Sequence, residues 1–203
     1  MTEACPEIAV ERDGGVLEIR IERPERKNAL TQNMYAAITE ALNEAERDPS
    51  VRVSLITGTQ DCFTAGNDME DFLNNPSTDE ETPVMKFLAL LPVLEKPLIA
   101  AVNGPAVGVG TTLLLHCELV YLAADARLQL PFVNLGLCPE AGSSILLSRI
   151  MGYQRAAELL MLGETFDAER AVHLGLANAV FDSVSYREQA RKKGHQPAAQ
   201  PPA

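Results

Sequence analysis

Two glycine-bearing turns carry the residue types from which a reaction site can be built. AGN at 65–67 and GVG at 108–110 each come after an apolar run of strand-forming residues. Glycine lets the backbone approach a ligand closely, and a turn of this kind can leave a backbone N–H without a helical or sheet partner. Two such donors aimed at one oxygen make an oxyanion hole, which stabilises an enolate or a tetrahedral intermediate; losing one donor typically costs ~3 kcal/mol of barrier. Either turn can equally serve only to bring a strand and a helix close together, and an isolated G-x-G does not decide between the two. The stretch 103–118, NGPAVGVGTTLLLHCE, reads as a glycine turn after the strand 98–102, followed by a buried helix whose positive end faces the turn.

The elements that must position these turns alternate between strand and helix. Residues 16–22 place Leu17, Ile19 and Ile21 on one face, and Gly14-Gly15 before them predicts a hairpin with 8–11. Thr31 is a candidate N-cap for a helix to about Arg47, with Met34, Ile38, Leu42 and Ala45 on one stripe and Asp48-Pro49 as its stop. Residues 51–57 are the next strand, and the loop 61–70 follows it, at a strand's C-terminal end, where α/β folds collect ligands. Residues 74–83 (NNPSTDEETP) read as a mobile polar loop, 85–94 as an apolar helix broken by Lys96-Pro97. Short strands are expected at 119–123 and 128–130, and a loop at 132–144. Helices are expected at 144–151, 154–162 and 167–174, with Asp167 as a cap and Gly152, Gly163 and Gly175 as stops; 178–181 is a last strand. The order implies an α/β fold.

Composition narrows the partners. The 203 residues, 46% hydrophobic and 22% charged, suit a globular core, and the net charge of −11 argues against nucleic acid as a main partner. No apolar run reaches the ~20 residues of a membrane span, and the opening residues do not read as a signal peptide. The cysteines at 5, 62, 117 and 138 have no C-x-x-C spacing, so reduced thiols and a cytoplasmic setting are expected, with no metal site. A phosphate-bearing ligand needs local cations, and Arg23, Arg26 and Lys27 are one concentration; a solvated charged turn explains them equally well.

Taken together, RPERKNAL, FTAGNDM, KPLIAAVNGPAVGVG and PFVNLGLCPEAGSS resemble the crotonase (enoyl-CoA hydratase/isomerase) family over about 8–182. The resemblance implies a spiral of strand-strand-helix turns in which two backbone N–H groups hold the thioester oxygen of an acyl-CoA. By motif position those donors are Asn67 and Val109. The backbone of Lys27, Asn28, Ala29 and Leu30 and that of Ala65, Gly66, Asp68 and Met69 then line the CoA groove, with Gly108 beside the second donor. Acyl-CoA is the implied substrate, with no cofactor, and a homotrimer or dimer of trimers is the implied assembly.

Family membership leaves the reaction open, and side chains decide it. Hydratases of the family carry two glutamates; here their positions hold Thr112 and Phe132. The remaining carboxylate, Glu140 in CPEAGSS, resembles the single base of the enoyl-CoA delta isomerases, which convert 3-enoyl-CoA to 2-enoyl-CoA in unsaturated fatty acid degradation. An apolar pocket raises a glutamate pKa and makes it a better base. Other enolate-forming chemistry, a weak hydratase and a catalytically silent acyl-CoA-binding subunit are the alternatives, and a lone glutamate after proline also suits a helix cap near Ser143. His116 reads as a core histidine, Asp68 as a residue bonding its own turn, Glu118 as structural, and Ser143 and Ser144 as caps. Residues 1–182 are expected to form the core domain. Residues 183–203 read as a poorly structured or truncated end, where family members continue into further helices.

Overall fold

The structure, a computed structural model, describes residues 5–59, 61–74 and 81–200. In chain order the strands and helices are β1 (Ile8–Asp13), β2 (Val16–Ile21), α1 (Gln32–Arg47), β3 (Val53–Thr57), α2 (Met69–Asn74), α3 (Pro83–Leu90), β4 (Leu98–Val102), β5 (Pro105–Val107) and α4 (Val109–Thr112). There follow β6 (Leu119–Ala123), β7 (Arg127–Gln129), α5 (Ser143–Met151), α6 (Tyr153–Leu162), β8 (Phe166–Asp167), α7 (Ala168–His173), β9 (Ala179–Phe181) and α8 (Tyr186–Ala198).

The hairpin forms as the alternation predicts, turning at Gly14 with φ 58°. From β2 onward the large sheet is parallel, in the order β1-β2-β3-β4-β6-β9. A second, smaller sheet runs β5-β7-β8. Two isolated parallel bridges, Leu30 with Asn67 and Thr64 with Ala106, extend that second layer toward the start of the chain. Each turn of the chain therefore adds a strand to the large sheet, a short extended piece to the second layer, and then a helix. This is the strand-strand-helix spiral.

Both faces of the large sheet are covered, which is why β3 and β4 read as unbroken apolar runs. Ile56, Ala100, Val102 and Leu122 pack into the main core with α1, while Val53, Leu55, Ile99, Ala101 and Tyr121 face the other way. That second face is closed by α8, which corrects the expected poorly structured segment over residues 183–200, the part of 183–203 that is described. Tyr186, Ala190 and Gly194, each four residues apart, are buried against the sheet. Arg187 pairs with the buried Glu18, and Arg191 pairs with Asp13 at 2.8 Å. Ala190 and Gly194 carry little hydrophobic signal, so beside Tyr186 the stripe is hidden in a charged sequence.

Other boundaries shift for local reasons. Thr31 and Asp167 cap as expected, accepting from the N–H groups of Met34 and Arg170. The stretch after β4 is not one buried helix. Residues 105–107 pair with β7, α4 has four residues, and a tighter 3₁₀ turn, Leu113–His116, replaces the rest. The apolar helix ends at Leu90, with Pro92 inside a following 3₁₀ turn. Met69 belongs to α2 rather than to a loop. Residues 75–80 of the acidic stretch lie outside the described residues.

Candidate active site

The two glycine turns lie side by side because their approaches are bonded in register. Thr64 N–H donates to Pro105 O at 3.0 Å and Val107 N–H to Thr64 O at 3.0 Å. Asn67 and Val109 sit three residues beyond the bridged pair Thr64 and Ala106, one in each turn. Peptide planarity fixes where their N–H groups point. The Gly66 carbonyl accepts from Leu30 N–H at 2.8 Å, so the Asn67 N–H of the same peptide faces away from residue 30. The Gly108 carbonyl accepts from Thr111 and Thr112 N–H at 2.9 and 3.0 Å, so Val109 N–H points out of the N-terminal end of α4. Among the described residues neither N–H donates a hydrogen bond. Both glycines are required: Gly66 has φ 92°, and a Cβ there would lie 2.9 Å from Val107 O, while Gly108 has φ 56° and ψ −115° beside open space.

Glu140 stands in a strained turn at the mouth of α5. Ala141 adopts φ 53° and Gly142 φ 64°, the former uncommon for a residue with a Cβ. Ser143 is not a helix cap, since Gly142 occupies that position; its N–H and Oγ–H both bond back to Glu140 O, at 2.9 and 2.6 Å. The half-buried His116, on the 3₁₀ turn after α4, finds its partner in Ala141 O, 2.9 Å from Nε2. The side chain of Glu140 is held by Thr112, whose hydroxyl donates to Oε1 at 2.6 Å. Burial raises the Glu140 pKa above the usual carboxylate range, and the Thr112 hydrogen bond opposes that rise. Phe132 is buried in the main core, and its carbonyl accepts from Leu135 and Leu137 N–H.

The expected groove wall is a pair of bonded backbones. Ala65 N–H donates to Lys27 O at 2.9 Å, Asp68 N–H to Leu30 O at 2.9 Å, and the Thr64 hydroxyl to Asn28 O at 2.6 Å. Lys27 and Asn28 are both left-handed, at φ 50° and 56°. The side chain of Asn28 is fully buried and committed to the scaffold: it accepts from Arg23 N–H and donates to Cys62 O and Thr59 Oγ1. Asp68 caps α2 by accepting from Glu70 and Asp71 N–H, and it pairs with Arg23 at 2.6 Å; the Arg23 hydrogen bond, against the opposing effect of burial, holds its carboxyl below the usual range. Arg26 pairs with Glu70 at 2.9 Å. Of the three cations at 23–27, Lys27 alone lacks an ion pair among the described residues, and its side chain is exposed. Ala29 is partly buried, Leu30 buried, and Met69 exposed. Glu118 is structural, accepting from Leu98 N–H at 2.7 Å.

One residue at the site is not among the candidates the sequence offers. Tyr35 lies on α1 beside the apolar stripe, buried and packed on Phe87 with ring centroids 5.3 Å apart, and its hydroxyl donates to Asn67 Oδ1. A buried phenol needs a partner for its O–H, and that need was the available signal. Among the described residues no cluster of potential metal ligands occurs.

The model of the enoyl-CoA hydratase/isomerase family matches residues 11–203. The chain belongs to that family. Enoyl-CoA delta isomerase 2 of Rattus norvegicus is 36% identical over 188 residues, covering 90% of this chain and 48% of the rat protein. The 1,2-epoxyphenylacetyl-CoA isomerase of Escherichia coli K12 is 36% identical over 197 residues, 92% of this chain and 74% of that protein. The solved structure of Pseudomonas aeruginosa OdaA superposes with a TM-score of 0.94 at 51% identity, over 98% of this chain and 81% of that one. The chain thus spans about half the length of the rat relative. Relatives of like identity include a 2,3-dehydroadipyl-CoA hydratase and a 4-chlorobenzoyl-CoA dehalogenase, so the family fixes the scaffold and not the reaction. Within an enoyl-CoA hydratase/isomerase scaffold, the groups closest to Glu140 are therefore the informative ones. Thr112 gives it a hydrogen bond and no second carboxylate.

Proposed function

We propose that this chain carries the site of an enoyl-CoA delta isomerase, moving a 3-enoyl-CoA double bond to position 2 with Glu140 as its single base. The observation that carries the reading is the pairing of a partly buried Glu140 with a hydroxyl, Thr112, at a position where a water-activating site needs a second carboxylate. The ionised Glu140 takes a proton from C2, which the thioester acidifies. The electron pair moves into the carbonyl, and the oxygen of the resulting dienolate is held by the Asn67 and Val109 N–H groups. Glu140 then returns the proton to C4, and the double bond becomes conjugated with the thioester. No water enters the balance, and the apolar Phe132 suits a site that excludes it.

The CoA portion is read onto the groove of residues 27–30 and 65–69, where Lys27 supplies an unpaired cation for a phosphate. Exposed apolar side chains at Leu135, Leu137, Ile145 and Met161 support self-association, and a homotrimer is the form we propose. The deciding experiment follows conjugated thioester formation from a 3-enoyl-CoA by the wild type and by Glu140→Gln. We expect turnover by the wild type and a loss of at least ~10³-fold in the variant. Fast formation of a 3-hydroxyacyl-CoA from a 2-enoyl-CoA, or undiminished turnover by Glu140→Gln, defeats the assignment.

A further inference from the structure

The Asn67 donor has a tether that the proposed reaction does not by itself call for. Asn67 is exposed, so packing does not hold its side chain. Among the described residues the Tyr35 hydroxyl is the one hydrogen-bond partner of that side chain. The residue before it, Gly66, sits at φ 92°, a conformation with wide latitude, and the peptide between them carries the N–H in question. On one side Leu30 N–H grips the Gly66 carbonyl at 2.8 Å, and Leu30 O accepts from Asp68 N–H at 2.9 Å. Those bonds hold the two peptides that flank Asn67 from the residue-30 side, and the Tyr35 hydroxyl holds the residue from the core side.

We propose that Tyr35 is a positioning residue which, by anchoring Asn67 Oδ1 from inside the core, aims the Asn67 backbone N–H at the thioester oxygen. The inference rests on the reading of Asn67 as an oxyanion donor and deepens it. Tyr35 is suited to the task because it cannot move independently. It is 2% exposed, packed at a tilt against Phe87 of α3, and part of the sixteen-residue α1. Burial first, and then the nearby Glu140 carboxylate, push its phenol well above the ordinary range, so it is a neutral O–H donor near neutral pH. It also lines a small cavity with Leu30, Asn67, Asp68 and Val84, placing the tether at the seam between the two halves of the groove wall. The donor angle matters because an N–H aimed off the oxygen loses most of its stabilising effect.

The test is a double-mutant cycle of Tyr35→Phe and Asn67→Ala, which keeps the Phe87 contact in the first and the backbone N–H in the second. Two readouts are taken on the folded proteins, checked by thermal melts. One is kcat and KM for a 3-enoyl-CoA; the other is the carbonyl stretch of bound butyryl-CoA labelled with ¹³C at the thioester carbon, which requires no turnover. We expect each single variant to lower kcat on the order of tenfold with KM within about twofold. The double variant should be no slower than the slower single, because both remove the same tether. The wild type should shift the carbonyl band to lower frequency, and both singles should lose part of the shift. Wild-type kcat and a wild-type band shift in Tyr35→Phe overturn the proposal, as do losses that multiply in the double variant. If the wild type shifts the band and Tyr35→Phe diminishes it, yet no 3-enoyl-CoA is turned over, the isomerase reading falls and the tether stands. Should Tyr35→Phe melt early, Asn67→Ala alone decides, and a full band shift there counts against the tether.

Discussion

Thr112 Oγ–H donates to Glu140 Oε1 at 2.6 Å across a gap of 28 residues, and this hydrogen bond works against the burial that raises the Glu140 pKa. Removing it should therefore raise that pKa further. Thr112 is fully buried, and valine has nearly its shape without the hydroxyl. A base must be ionised to act, so the acid limb of kcat/KM in Thr112→Val is expected to move to higher pH. On the acid side of that limb the loss should be on the order of tenfold, the worth of one hydrogen bond to a charged group, and it should shrink as pH rises. A pH–rate profile with an unmoved limb would show that the hydroxyl does not tune this carboxylate.

The same carboxylate should weaken the fold. Its pKa is raised in the folded state, so the protonated form is the one folding favours. The stabilising contribution is fully present below the ordinary carboxylate range and is lost as pH rises through the raised value. At neutral pH the ionised, half-buried group is a liability, and Glu140→Gln should melt ~2–4 °C higher than the wild type while losing activity. The gap should close as both are measured toward about pH 4, where the wild-type glutamate becomes neutral too. Equal melting temperatures at both pH values would mean the carboxylate is well solvated.

How much of this was legible depends on how local each signal was. Thr31 and Asp167 could be read as caps because the cap and its helix are contiguous, and β3 and β4 because their apolar runs are short and bounded. β5 was missed because three residues beginning with proline show no period of their own; only their partner β7 makes them a strand. α8 carries no visible core pattern because Ala190 and Gly194 bury little side chain, Tyr186 is a lone large residue in a charged stretch, and the sheet face they fill is built from strands far earlier in the chain. At the site, the glycine turns were visible as turns, but their adjacency comes from the Thr64 and Ala106 bridge, and no spacing encodes it. Tyr35 and Asn67 are 32 residues apart, and a tyrosine on an apolar helix looks like core until its hydroxyl is traced.

Asn28 should prove structural rather than a ligand. Its side chain ties Arg23 N–H to Cys62 O at 2.8 and 2.7 Å, and its backbone is left-handed at φ 56°, which alanine tolerates poorly. Asn28→Ala strands a buried N–H and a buried carbonyl, each worth ~1–3 kcal/mol, so a loss of roughly 3 kcal/mol in urea unfolding is expected. Asn28→Gly removes the backbone strain but not the orphaned groups, and should fall between that variant and the wild type. A ligand-contacting asparagine would instead change KM with the urea midpoint intact.

Gly66 and Gly108 separate contact from conformation. An alanine at 66 brings its Cβ within 2.9 Å of Val107 O, which is held by Val107 N–H on Thr64 O and Gly108 N–H on Gln129 O, so the two turns must move apart. Gly66→Ala should therefore lose stability and activity together. At Gly108 the Cβ meets nothing within 4 Å, and the penalty is backbone strain alone, ~1–3 kcal/mol at φ 56° and ψ −115°. The chain can relieve that strain by rotating the peptide that carries Val109 N–H, which spends the strain on the donor's aim. Gly108→Ala is thus expected to lower kcat on the order of 10²-fold with only a small fall in melting temperature. If kcat survives while the melting temperature falls by the full strain, the peptide has held its direction, and Val109 N–H is then fixed by α4 itself rather than by the glycine before it.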